Sequence, residues 1–366
     1  MILLSVPDLR GAEAEYLARC VADNWVSSAG PFVVDFESRM AAVAGREHGV
    51  AAVNGTTALQ LLLEEFDVSG DGLVVVPDWT FAATANAVIH AGGRPLFVDI
   101  SQESWTLDPV ALAQAFSRYG DRIRAVVAVH TLGHPADMDA IRDVCDASGV
   151  PVLEDSAGAI GAQYKSRPAG SLGAAAIFSF NGNKTVTAGG GGMIVTDDAA
   201  VAQRVRHAST QARVGSEYLH DAVGHNFRMT NVNAAIGVAQ LERLNEMLST
   251  KRLIASRYDA AVQSMDGVVS MPRLPWAESS CWLYSVLLRS EDEAQRLVAE
   301  MDVKEIQART FWRSLSVQTP YSAYESVLRG VSQSLSGRVV SLPCSSSLTD
   351  EQQVKVLSAL EDWHRK

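Results

Sequence analysis

The chain reads as an α/β fold with a mostly parallel central sheet, followed by a smaller α+β domain. Three observations point there. Runs of Val, Leu and Ile without polar alternation, at 73–76, 123–129 and 150–153, suit strands covered on both faces. Helix-like stretches separate these runs, giving the alternating βα units of a parallel sheet. The 366 residues exceed the usual single-domain size, so two domains are expected, 1–245 and 246–366.

Residues 11–22 are helix-like, with Tyr16, Leu17 and Val21 expected on one side. NWVSSAGPFV at 24–33 is a loop of turn residues, and Phe32 to Ala44 returns to helical spacing. In HGVAAVNGTTALQLLLEEF (48–66), VAAV is a short strand, Asn54-Gly55 a tight turn and Thr56 the start of an apolar helix. Such a start leaves N–H groups unpaired at the positive end of the helix dipole, a seat for an anion; a plain N-cap gives the same pattern and is commoner. LVVVPDWT, PLFVDI, IRAVVAVHTLGH and VPVLEDS then read as strands, with FAATANAVIHAG, DPVALAQAF and ADMDAIRDVCDASG as the helical segments between them. Ligands of open α/β sheets lie beyond the carboxyl ends of the strands. Those ends carry Asp78, Asp99, His130, Asp155 and Ser179, the expected rim of a site. Residues 229–248 are helical with Val232, Ala235, Ile236 and Ala239 on one face; Lys251, Arg252 and Arg257 read as a solvated basic face. The remainder supplies a strand in WLYSVLLRS, a helix in EDEAQRLVAEM, a strand at SLPCSSS and a last helix DEQQVKVLSALEDW.

The net charge of −11 argues against a nucleic-acid or anionic-membrane surface, yet leaves room for a small anion held by backbone N–H groups. Cys20, Cys145, Cys281 and Cys344 are widely spaced with no CxxC pair and read as free thiols of a reducing compartment. MILLSVPDLR has neither the basic start nor the apolar length of a signal peptide or membrane span, so a soluble cytoplasmic protein is expected.

The chemistry centres on AAAIFSFNGNKTVTAGGGGMIV, 174–195, where two apolar runs flank a glycine-rich hinge holding Lys184. Partial desolvation there disfavours the ammonium and leaves a nucleophilic amine, as a Schiff-base lysine requires. A solvated turn lysine is the alternative. What favours the first is VPVLEDSAG, a buried strand ending in Glu154 and Asp155. A carboxylate at a strand mouth can hold a pyridinium nitrogen, and with the lysine it makes the pair that pyridoxal phosphate needs. Gly189 to Gly192 lack both the P-loop Lys-Ser/Thr and the GxGxxG spacing. His130, His134, Asp137 and Asp139 have the composition of a metal cluster, but Gly133 and Pro135 break any helix that would align them.

These motifs resemble the DegT/DnrJ/EryC1/StrS sugar aminotransferases, fold-type I pyridoxal phosphate enzymes of aspartate-aminotransferase-like architecture. The resemblance runs from about Asn24 to the C-terminus through WVSSAGPFVVDFE, VNGTTAL, PDWTFAATANAV, HTLGHPADMD, LEDSAGAIGA, FSFNGNKTVTAGGGGM and HDAVGHNFRMTNVNAAIGVAQLERL. It implies that Lys184 bonds to the cofactor aldehyde and moves the proton. Asp155 would pair with the pyridinium nitrogen, Phe81 stack on the ring, and Gly55, Thr56 and Ser179 hold the phosphate. Asn226 would reach the phosphate of a neighbouring subunit's pyridoxal 5'-phosphate, making the active unit a homodimer.

Members that dehydrate sugars carry histidine at the lysine position, so Lys184 implies amino transfer. The donor implied is L-glutamate. The acceptor is the C4 keto carbon of a nucleotide-linked 4-keto-6-deoxy sugar, first a UDP-linked 2-acetamido hexulose and second GDP-4-keto-6-deoxymannose, with a C3-aminating relative as a further alternative. One position departs from the family. Gln, Glu or His usually stands three residues after the aspartate, near the ring hydroxyl, and here it is Gly158. That glycine is the one feature that suits a non-catalytic, pyridoxal-binding sensor. The segment 309–325 is expected to shape the sugar pocket through Trp312, Arg313 and Tyr321.

Overall fold

The apolar runs assemble into one eight-stranded sheet in the computed structural model, which describes all 366 residues. Seven strands come in chain order: β1 (His48–Ala52), β2 (Leu73–Pro77), β3 (Arg94–Val98), β4 (Ile123–Val129), β5 (Val152–Asp155), β6 (Ala175–Ser179) and β7 (Gly192–Thr196). The pairs β6–β5, β5–β4, β4–β2 and β2–β3 are parallel. Every residue of β2 is buried, as a strand covered on both faces must be. Only β7 breaks the pattern, running antiparallel to both β6 and β1.

Four further strands follow β8 (Val269–Ser270): β9 (Tyr284–Leu287), β10 (Arg309–Phe311), β11 (Ser326–Val327) and β12 (Val339–Leu342). β8, β9, β12 and β10 form a separate antiparallel sheet, whereas β11 returns to the large sheet and pairs in parallel with β3. The first residues also join the C-terminal part: Ile2 exchanges backbone hydrogen bonds with Glu305 and Gln307, and Ile2 and Leu4 lie in its core.

Helices α1 (Glu13–Ala22), α2 (Pro31–Val43), α3 (Gly55–Glu65) and α4 (Ala82–His90) open the chain. α2 starts with Pro31 in its first turn, where the missing N–H costs nothing. α3 starts at Asn54, whose side chain accepts from Thr57 N at 2.8 Å. α5 (Pro109–Tyr119), α6 (Met138–Asp146) and α7 (Ala199–Ala208) pack around the sheet, and α8 (Asn231–Glu242) breaks at Arg243 into α9 (Leu244–Val262). The 245/246 division therefore falls two residues into α9.

Four local expectations need correction. In α1, Glu13 and Cys20 are the buried residues and Val21 is 67% exposed. Glu13 turns that helix face inward because its carboxylate accepts from Gln240 Nε2 and Gly11 N. In α8, Val232 and Ile236 are only half-buried while Ala234, Ala235, Gly237, Val238 and Ala239 are buried, so its inward face is made of small residues. Lys251 is not solvated: it is 2% exposed, and its ammonium donates to the carbonyl of Cys344. Arg252 and Arg257 keep to the surface, paired with Glu278 and Asp350.

At the expected rim, two of the carboxylates are used within the fold. Asp78 accepts from the hydroxyls of Ser314 and Ser332 and from Ser316 N. Asp99 accepts from the backbone N–H groups of Arg329, Val331 and Ser332. These two carboxylates fasten the segment around β11 to the strand ends and do not face a ligand. His130 is buried against Glu154, whose carboxylate also accepts from Gly170, Leu172 and Gly173 N. All four cysteines are free and buried, and no helix is long and apolar enough to cross a membrane.

Candidate active site

Of the five rim residues, Asp155 and Ser179 remain, as the last residues of the parallel neighbours β5 and β6. Between β6 and β7 the chain loops out and returns, with Phe180 N donating to Gly191 O and Ala188 N to Phe180 O. Lys184 sits in this loop, its N–H donating to Asn181 O at 2.9 Å. Gly192 brings the loop's return against the start of α3, since any side chain there would collide with Asn54 O.

A cavity of about 500 Å³ opens at this place, lined by Gly55, Thr56, Phe81, Asp155, Ser179 and Lys184 among others. Its size is that of a small-molecule site. The first N–H groups of α3 have no intrahelical acceptor, and a Cβ at Gly55 would lie only 3.0 Å from Ser179 Cβ. The helix start, its dipole and the Ser179 hydroxyl thus converge on one spot suited to a phosphate. Phe81, the N-cap of α4, is 61% exposed and offers its ring to the cavity.

Asp155 is fixed before any ligand arrives. Thr84 Oγ1 donates to its Oδ2 at 2.8 Å and Ala157 N to its Oδ1 at 3.1 Å. Thr84 lies three residues beyond Phe81 in PDWTFAAT, so the motif that supplies the aromatic also supplies the aspartate's support. The Lys184 amine makes no ion pair or hydrogen bond within the chain; it stands 3.4 Å from the centre of the Trp282 ring. Burial pushes its pKa down from 10.5 to about 7, while the charge of Asp155 pulls it back up. This is the amine that nucleophilic chemistry near neutral pH requires.

That shift has a measurable consequence for the cofactor-free protein. An unfolded chain keeps the Lys184 proton up to pH 10.5, the folded one only to about 7. Between those values the unfolded state binds more protons, so stability rises with pH across the window. A Lys184→Met variant should therefore melt above the wild type below pH 7, with the gap closing as the pH approaches 10.5. Melting temperatures of the two cofactor-free proteins across that range check it; a gap independent of pH contradicts a depressed amine.

Several lining residues come from afar in sequence. Trp282, Arg309, Phe311 and Trp312 reach the cavity from the C-terminal part. Trp79 Nε1 donates to Trp312 O at 2.8 Å and anchors that stretch. Arg313 and Tyr321 do not line the cavity: Arg313 pairs with Glu291, and Tyr321 donates to Asn86 Oδ1. Asn226 lies elsewhere, in a second cavity with Ser28, Gly30, Arg206 and Arg228.

The donor set fits pyridoxal phosphate: a depressed amine, a supported carboxylate, an exposed aromatic face and a tight anion seat in one cavity. Comparison with known proteins agrees. The DegT/DnrJ/EryC1/StrS aminotransferase family matches residues 7–361. EpsN of Bacillus subtilis (strain 168), whose name ties it to pyridoxal phosphate-dependent amino transfer, is 36% identical over 98% of this chain and 95% of its own. The GDP-perosamine synthase of Escherichia coli O157:H7 is 33% identical over 98% of this chain and 97% of its own. The crystal structure of Streptomyces venezuelae DesV, in complex with a ketimine intermediate, superposes with a TM-score of 0.90 at 29% identity over 99% of each chain.

Proposed function

This chain belongs to the DegT/DnrJ/EryC1/StrS aminotransferase family, and we propose that it moves the amino group of L-glutamate to the C4 keto carbon of a nucleotide-linked 4-keto-6-deoxy sugar. One observation carries the reading: the unpaired, depressed Lys184 amine shares a cavity with the Thr84-braced Asp155. When bound, pyridoxal 5'-phosphate supplies an aldehyde that carries the amino group and a ring that takes up electrons.

The chain's own groups do the rest. Gly55, Thr56 and Ser179 would hold the phosphate, Phe81 would offer its ring face to the cofactor ring, and Asp155 would keep the ring nitrogen protonated. Lys184 Nζ would take the proton from the α-carbon of the amino acid and later give one to the sugar carbon; with its pKa brought down to about 7, a large share of the amine is unprotonated near neutral pH, as a base must be. Arg309 lines the cavity without an ion-pair partner in the chain, which makes it our choice of cation for a glutamate carboxylate. Asn226, placed in the second cavity, would serve a neighbouring copy's cofactor, so the working unit is a homodimer.

The motifs WVSSAG, VNGT and SFNGNK most resemble 4-aminotransferases of the legionaminic-acid and bacillosamine type, which favours a UDP-linked 2-acetamido-2,6-dideoxy-4-hexulose. A second reading, GDP-4-keto-6-deoxymannose, is favoured by the likeness to GDP-perosamine synthase. The test incubates the purified protein with pyridoxal phosphate, glutamate and a panel of UDP-, GDP- and dTDP-linked keto sugars, reading products by mass. We expect glutamate to bleach the yellow protein and one member of the panel to gain an amine. A yellow protein indifferent to glutamate would point to a sensor and overturn the reading.

A further inference from the structure

Gly158 carries no side chain, and the space one would take is filled by Trp282 from the C-terminal part of the chain. A Cβ at residue 158 would lie 2.5 Å from Trp282 Cε3 and 3.1 Å from its Cδ2. The indole packs against Gly158 so closely that even alanine there would force it to move. The ring is held on its other edge too, as Trp282 Nε1 donates to Asn183 O at 2.8 Å. Asn183 is the residue before Lys184, whose Nζ stands 3.4 Å from the centre of the same ring. The approach is fixed two residues earlier, where Ser280 Oγ donates to Gly158 O at 2.9 Å and Ser280 N to Gly133 O at 3.1 Å. Gly133 makes room for this as well, since a Cβ on it would collide with the Ser280 hydroxyl.

We propose that Trp282 is a positioning residue for Lys184, its indole occupying the place a side chain at 158 would take and holding the amine in the cavity. This rests on the functional reading above. The ring constrains the lysine twice, through the loop carbonyl at Asn183 and through the face beneath the amine, where contact with a desolvated cation or N–H is favourable. Gly158 and Trp282 are thus a matched pair, one residue small so that the other can reach.

The test measures how fast each cofactor-free variant captures added pyridoxal phosphate, read as growth of the visible band. It is done at about pH 9, where an amine with a value of about 7 is already neutral and only its placement matters. Trp282→Leu should capture the cofactor about tenfold more slowly or worse, while Trp282→Phe, which keeps a ring face, should stay within about threefold of wild type. Gly158→Ala, with Trp282 still present but displaced, should be slowed like the leucine variant. Melting curves accompany each rate, since a merely structural loss lowers stability without slowing capture in protein that remains folded.

A folded Trp282→Leu or Gly158→Ala protein that captures at the wild-type rate overturns the assignment. Should the leucine variant not fold, the Gly158→Ala and Trp282→Phe rates decide alone. A wild type that captures no pyridoxal phosphate overturns the functional reading together with this inference; normal capture by wild type and leucine variant alike overturns this inference only.

Discussion

Replacing Lys184 with alanine is expected to lower kcat/KM for amino transfer by about 10⁴-fold or more, since one substitution removes both the proposed covalent anchor and the proposed proton-transfer base. The loss should not come through the fold. Lys184 makes no hydrogen bond or ion pair with its side chain, and its desolvated amine is a cost to the folded state below pH 10.5. The variant should therefore melt at or above the wild-type temperature near neutral pH while losing turnover. Single-turnover assays with glutamate, beside a melting curve, check it. Full amination by the alanine variant would remove Lys184 from the chemistry.

The second large effect is at Asp155. Asparagine there is expected to lower kcat about 10²- to 10³-fold, because an amide cannot hold a proton on the ring nitrogen and the ring then takes up electrons poorly. The local structure should survive: the amide oxygen still accepts from Ala157 N, and the Thr84 hydroxyl can turn to accept from the new amide group. A second signature separates this from misfolding. Asp155 raises the Lys184 pKa by its charge, so removing that charge should move the amine's midpoint below about 7. Turnover should be lower, and the rate at which the cofactor-free protein captures pyridoxal phosphate should show the lower midpoint when followed against pH; an unmoved capture midpoint would place Asp155 out of electrostatic reach of the lysine.

Much of this site is legible from sequence because its parts are local. Asn54-Gly55-Thr56 is a helix start wherever it is folded, and a run such as VPVLED delivers its acidic residues at a strand end. What sequence could not separate was the purpose of those strand ends. Asp78, Asp99 and Asp155 all stand at the ends of parallel strands, but Asp78 and Asp99 are taken up by residues 314–332, whereas Asp155 accepts from Thr84 and Ala157 and still lines the cavity. That distinction depends on where residues 314–332 cross, and the pairing of β11 with β3 decides it. Lys251 escaped for a similar reason. Next to Arg252 it reads as part of a charged face, yet α9 turns it toward the Cys344 carbonyl, a partner 93 residues away. Trp282 had no local signal: its contact with Gly158 spans 124 positions and appears only once both ends are folded together.

The most direct test of the account is to add pyridoxal phosphate, reduce the complex with borohydride and map the added mass by peptide. A single modified peptide is expected, the one holding Lys184, with no modification in the Lys184→Ala variant. Modification at another lysine, Lys251 included, or none at all, would contradict it.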